Sequence, residues 1–161
     1  MVIENKILYT IDTAKKKLPT YKYDFNESLF PELFIKPKEH LSSVTILCYG
    51  ETLNVVEDAL LELLIDEEIF CDVICPSLIS EINTINIISS LSMTRKLLII
   101  EEGCGYASWG SEIISKIHEQ SFSDFKLKRF HNSQLIPSSF KAEIELLPNK
   151  VNVKNIILEL I

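Results

Sequence analysis

The unbroken apolar run Leu97-Leu98-Ile99-Ile100 constrains this chain more than any other feature. A strand that is apolar at every position, rather than at every second one, is covered on both faces, as in a parallel sheet between two layers of helices. The neighbouring segments fit that picture. Val44-Thr-Ile-Leu-Cys-Tyr-Gly50 is a short β-rich run closed by glycine, and Ile69-Phe-Cys-Asp-Val-Ile-Cys75 is another, closed by Pro76. Between them, Glu51 to Glu67 has a helical period. Val55, Val56, Ala59, Leu60, Leu63 and Leu64 make one stripe, while Asn54, Asp58, Glu62 and Asp66 recur on the opposite face.

Weaker helical patterns run from about Asn83 to Met93 and from Ser108 to Ser121, the latter with Ile113, Ile114 and Ile117 inward. Phe125 to Phe130 reads as a strand with one wetter face. Asn149 or Asn152 caps a last helix whose buried stripe is Val153, Ile156, Ile157, Leu160 and Ile161. Strand and helix alternate with short loops, which predicts an α/β fold with a mainly parallel sheet and helices on both faces. The first 40 residues fall outside this rhythm. Val2 to Tyr9 reads as a strand fragment, and Lys15-Lys-Lys-Leu-Pro, Phe30-Pro and Lys36-Pro-Lys read as a solvated, proline-interrupted linker.

Composition narrows the function classes. A length of 161 residues with 47% hydrophobic content suits one domain with a real core, and excludes disorder. Sixteen Lys and Arg against 23 Asp and Glu leave a net charge of −7, which repels phosphate backbones and argues against nucleic acid as a partner. No apolar run approaches the roughly 18 residues of a membrane-spanning helix. Met-Val-Ile-Glu-Asn-Lys at the start lacks the basic-then-apolar pattern of a signal peptide. The expected compartment is the cytoplasm, or an organelle matrix if a transit peptide lies outside this sequence.

Cys48, Cys71, Cys75 and Cys104 show no zinc-binding spacing. Cys71 and Cys75 lie on one face of an extended run about 13 Å apart, too far for one disulfide or one metal ion. All four are expected to be free thiols.

Strong catalytic motifs are absent. Gly103-Cys-Gly105 followed by Gly110 resembles a dinucleotide loop, but the third glycine comes two residues late and no acidic partner follows at the required distance. His40, His118 and His131 have no nucleophile near them in sequence. Glu101 and Glu102 end a buried strand beside a helix start. There a carboxylate pair suits acid–base work, but the positive end of the helix dipole favours capping or docking against a neighbouring domain.

Taken in order, Val44 to Gly50, Asp72-Val-Ile74, Leu98-Ile-Ile-Glu-Glu-Gly103, Trp109-Gly-Ser-Glu-Ile113 and Ile136-Pro-Ser-Ser139 resemble the C-terminal domain shared by transketolase-like thiamin diphosphate enzymes. The similarity is greatest to the β subunit of the decarboxylating component of 2-oxoacid dehydrogenases, and Val2 to Tyr9 resembles the last strand of the preceding pyrimidine-binding domain there. Cys75 to Asn83 departs from the family pattern, with Ser77 for an arginine and Glu81 for a proline.

The resemblance implies a three-layer α/β/α domain with a mostly parallel five-stranded sheet and one antiparallel strand near Leu33 to Lys36. It divides the chain into 1–10, the end of the pyrimidine-binding domain; 11–41, a linker; and 42–161, the C-terminal domain. It implies that this chain binds no cofactor, with thiamin diphosphate and Mg held by other parts of the complete enzyme. The chain's own work would then be assembly rather than catalysis. Implied partners are the α subunit or upstream thiamin-binding domains, a second β subunit, and the subunit-binding domain of the acyltransferase core. The rival expectations are the corresponding domain of a transketolase or deoxyxylulose-phosphate synthase, and a free-standing binding module.

Two regions carry the expected contacts. One is the turn from Glu102 to Ser111, with Glu102, Gly103, Tyr106 and Trp109; Trp109 there reads as interface surface whose removal costs the isolated domain little. The other is the acidic end of the last helix, Glu159 and the terminal carboxylate of Ile161, facing a basic partner.

Overall fold

In a computed structural model, residues 18–81, 83–132 and 139–161 are described. Along the chain lie β1 (Tyr21–Phe25), β2 (Glu32–Pro37), β3 (Val44–Leu47), α1 (Thr52–Glu67), β4 (Cys71–Pro76), α2 (Thr84–Thr94), β5 (Lys96–Cys104), α3 (Trp109–Glu119), β6 (Lys126–Asn132), α4 (Phe140–Leu146) and α5 (Lys150–Leu160). The strands form one six-stranded sheet in the order β1-β2-β4-β3-β5-β6. Pairings among β3, β4, β5 and β6 are parallel. Antiparallel pairings join β2 to β4 and β1 to β2, so β2 alone runs against the other strands. The expected α/β/α architecture, with its antiparallel strand at Leu33 to Lys36, is therefore present.

The sheet has six strands rather than five, because the stretch read as linker contributes its edge. Leu18, Tyr21, Leu33 and Ile35 are all buried. Pro37 ends β2 and Pro31 precedes it. At those positions proline marks a strand boundary without removing a ladder hydrogen bond, which is why the prolines misled. The expected strand at Val2 to Tyr9 lies outside the described residues.

Alternation along the strands divides the core in two. Val44, Ile46, Val73, Leu98 and Ile100 face α1 and α5, meeting Val56, Leu60, Leu63, Val153 and Ile157. Leu47, Ile74, Leu97 and Ile99 face α2 and α3, meeting Ile87, Leu91, Ile113 and Ile117. Asn149 is the N-cap of α5, its Oδ1 accepting from the Asn152 backbone N–H at 3.0 Å. Ile161 lies past the end of that helix and is 48% exposed, so it does not belong to the buried stripe.

A polar cluster sits within the second layer. The Asp72 carboxylate accepts from Ser42 Oγ at 2.5 Å and from Ser90 Oγ at 2.6 Å, and Thr45 Oγ1 lies 2.8 Å from Ser90 Oγ and 2.7 Å from Thr94 Oγ1. Each buried hydroxyl has a partner, which is what makes a polar group tolerable there. Among the described residues no helix is long and apolar enough to cross a membrane.

Candidate functional site

Strand order locates the site. From β3 the chain crosses through α1 to β4 on one side, whereas from β5 it crosses through α3 to β6 on the other. The carboxyl ends of β3 and β5 therefore flank a topological switch point, the crevice where open α/β sheets meet ligands or partners. Tyr49, Gly50 and Glu51 follow β3, and Glu101 to Cys104 complete β5.

Glu101 organises this edge. It is 1% exposed, and its Oε2 accepts from the Gly110 backbone N–H at 3.0 Å, at the first turn of α3. Its Oε1 accepts from Ser108 Oγ at 3.0 Å and from Arg129 Nη2 at 2.5 Å. The same guanidinium donates to the Gly105 carbonyl at 3.2 Å. One carboxylate thus caps a helix N-terminus, and its ion pair holds the turn at Gly105 to Ser108 onto β6. Of the two readings left open for the Glu101–Glu102 pair, Glu101 takes the capping one. Gly110 is required by packing, since a Cβ there would lie 2.6 Å from Glu101 Oε1. A Cβ on Gly105 would strike the His131 ring.

Glu102 points the other way, partly buried, and its carboxyl is pushed above the usual range by burial and then by Glu51. Burial, Glu101 and Glu102 likewise raise the Tyr49 phenol. Tyr49 meets Trp109 edge-to-face with ring centroids 5.0 Å apart. Trp109 packs against the α2–α3 side of the core, and its indole Nε1 is buried without a hydrogen-bond partner. The void beside it, lined by Glu32, Leu47, Ile74, Pro76 and Ile87 among others, is about 10 Å³. Hence Trp109 is not the free surface residue expected; its apolar face belongs partly to the core.

The other expected positions fall as follows. Glu102 and Gly103 belong to β5 rather than to a turn, and a Cβ on Gly103 would touch nothing within 4 Å. Tyr106 is 85% exposed. Glu159 pairs with Lys128 Nζ at 3.1 Å. Lys128 is near the start of β6, so Glu159 and Ile161 lie toward the amino end of the strands, away from Glu102, Gly103, Tyr106 and Trp109. The six candidates thus form two separate places. His40 stacks on Phe70 with centroids 4.1 Å apart, and His118 stacks on Phe125 at 5.8 Å. Arg129 and Tyr49 were missed from sequence. The available signal for Arg129 was its place in a strand that otherwise carries lysines, two residues after Leu127, although Leu127 itself is exposed.

Among the described residues no three His, Cys, Asp or Glu side chains converge as a metal-binding group.

Comparison with known proteins agrees with the geometry. Residues 35–152 match the family model described as Transketolase, C-terminal domain. The chain is 31% identical over 122 residues to the pyruvate dehydrogenase E1 component subunit beta of Rickettsia felis, covering 74% of this chain and 34% of that protein. It is 27% identical over 156 residues to the same subunit of Rickettsia conorii, covering 94% of this chain and 44% of that one. The chain thus spans less than half the length of these relatives. Among solved structures, a split-gene transketolase described as an inactive β4 tetramer superposes with a TM-score of 0.64 at 19% identity, over 79% of this chain and 41% of that one. The 2-oxoglutarate:ferredoxin oxidoreductase of Magnetococcus marinus superposes at 0.55 and 15%, over 80% of this chain and 19% of that one. With its sheet order, its switch point and the family match over most of its length, the chain belongs to the transketolase C-terminal domain family.

Proposed function

We propose that this chain is the C-terminal domain of a β-type subunit of a thiamin diphosphate-dependent 2-oxoacid dehydrogenase, and that it works in assembly, presenting the Gly105–Ser108 turn to the thiamin-binding domains of the complete enzyme. The observation that carries the reading is the Glu101–Arg129 ion pair. Burying a charge pair adds little net stability; in this reading its role is to fix one geometry of the turn. Here it holds a turn whose own aromatic side chain, Tyr106, projects 85% exposed. A rigid turn ending in an exposed tyrosine has the character of an interface anchor. The similarity to E1 β subunits supports the same assignment. In this reading thiamin diphosphate and Mg²⁺ are held by the other domains.

Glu159 and Ile161 form a second, independent contact of the same reading, toward a basic subunit-binding domain of the acyltransferase core. The pairing of Glu159 with Lys128 is surface-exposed and easily exchanged for a partner's cation.

The test is reconstitution of the chain with the thiamin-binding domains, followed by sedimentation. Tyr106→Ala should weaken association at least tenfold while leaving the circular dichroism and melting temperature of the isolated chain unchanged; wild-type association would overturn the anchor. Deleting residues 159–161 should reduce affinity for the acyltransferase subunit-binding domain and flatten its salt dependence.

A further inference from the structure

Cys48 and Cys75 are neighbours across two parallel strands. Leu47 pairs with Ile74 in register, and the Cys48 backbone N–H donates to the Ile74 carbonyl at 3.2 Å, continuing the ladder by one step. Both side chains lie on the α1 side of the sheet in one cluster, Cys48 fully buried and Cys75 partly exposed. Adjacent strands run about 4.8 Å apart, inside the Cα separation a disulfide spans without backbone movement. Cys71, four residues before Cys75 on the same strand, has no such neighbour thiol, and Cys104 is exposed on β5.

We propose that Cys48 and Cys75 form a peroxide-sensitive dithiol, a modification site in which Cys75 is the attacking sulfur and Cys48 the resolving one. Their surroundings fit these unequal roles. The Cys48 thiol donates toward Cys75, and the Gly50 backbone N–H, just before α1, also points to the Cys75 sulfur; both lower the Cys75 thiol's pKa. The Cys48 thiol is held protonated by that same hydrogen bond and by burial. Thr52 and Glu57 of α1 complete the surroundings.

The chemistry balances with a hydroperoxide as oxidant. The Cys75 thiolate attacks one peroxide oxygen, the O–O bond breaks, and hydroxide leaves, giving a sulfenic acid. The Cys48 sulfur then attacks the Cys75 sulfur, the S–O bond breaks, and the sulfenic oxygen departs as water with the thiol proton. Two thiols and one hydrogen peroxide yield one disulfide and two waters, with two electrons passing from sulfur to oxygen. The product would clamp the ends of β3 and β4 beside Tyr49, and so alter the crevice at the switch point.

The experiment uses the full chain carrying Cys104→Ser, which excludes cross-linking between copies. Treatment with one equivalent of hydrogen peroxide should lower the thiols titrated in denaturant from three to one and the mass by two hydrogens, and peptide mapping should find Cys48 joined to Cys75. Adding Cys48→Ala should stop the reaction at a Cys75 sulfenic acid that dimedone traps, and Cys75→Ser should abolish thiol loss. Retention of all three thiols would overturn the proposal. So would a disulfide to Cys71, or stable sulfenic acid accumulating with Cys48 present. Mapping of the parent decides the matter even if the Cys48 variant does not fold.

Discussion

Arg129 is the residue on which the switch-point edge depends most. Its removal leaves the carboxylate of Glu101, 1% exposed, without its counter-ion and with only Ser108 Oγ and the Gly110 N–H as partners. Breaking a buried pair from one side costs about 3–5 kcal/mol, so Arg129→Ala should lower the urea midpoint accordingly without changing the slope. Arg129→Lys should recover only part, because an ammonium cannot span Glu101, Ser108 and the Gly105 carbonyl as one planar fork does. Trp109→Ala should cost about 2–3 kcal/mol, at or below the foot of the roughly 3–5 kcal/mol range for a fully buried Trp because the ring is only half-buried. Glu102 gives a pH prediction. Its carboxyl is raised in the folded state by burial and Glu51, so the folded protein holds that proton more tightly than the unfolded chain. The associated stability is complete below the unfolded carboxylate pKa and is lost as pH rises through the folded one. Glu102→Gln should therefore raise the melting temperature at pH 7 relative to wild type, with the difference shrinking toward pH 4.

At the scale of elements, α5 shows how far packing outweighs surface charge. Val153 and Ile157 are fully buried against α1 and the sheet, while Leu158 is 38% exposed. Ile157→Ala should cost about 2–5 kcal/mol in denaturant titration, and Leu158→Ala should stay within roughly 0.5 kcal/mol of wild type. Asn149→Ala, which removes the cap, should cost about 1 kcal/mol. Lys150 and Lys154 bridge from α5 to Glu62 and Asp66 of α1 at 2.7 and 2.5 Å. These pairs flank a helix contact that is already apolar and add little to it. In α2, Ser90 is buried and joins Asp72 to Thr45, so this helix is located by hydroxyl geometry as well as by Ile87 and Leu91.

For the molecule as a whole, both hydrophobic clusters share one sheet, and neither has a backbone of its own. Unfolding of the isolated chain should be one cooperative transition, the fluorescence of its single tryptophan tracking far-ultraviolet dichroism at every urea concentration. Two separated transitions would mean that the α1–α5 and α2–α3 layers come apart independently. The family assignment and the lack of a converging metal-donor set among the described residues lead to a further expectation. Titration of the isolated chain with thiamin diphosphate and Mg²⁺ should give no stoichiometric heat, and a micromolar binding isotherm would overturn the proposed division of labour.

Periodicity made most of the elements legible. The all-apolar Leu97 to Ile100 run determined a two-sided sheet, and the stripes of α1, α3 and α5 determined which helical faces are covered, because burial is a local property of a repeating pattern. A short helix such as α4, seven residues at Phe140–Leu146, has fewer than two turns and so no period to read. Within the stretch read as linker, β1 was not distinguished and β2 was expected only from the resemblance, since proline at a boundary looks the same as proline in a loop until a partner strand is known. Tertiary structure alone decided the site. Glu101 meets Arg129 across 28 positions and Cys48 meets Cys75 across a strand ladder. Pairings of that kind depend on strand order, which leaves no trace in the spacing of any one segment.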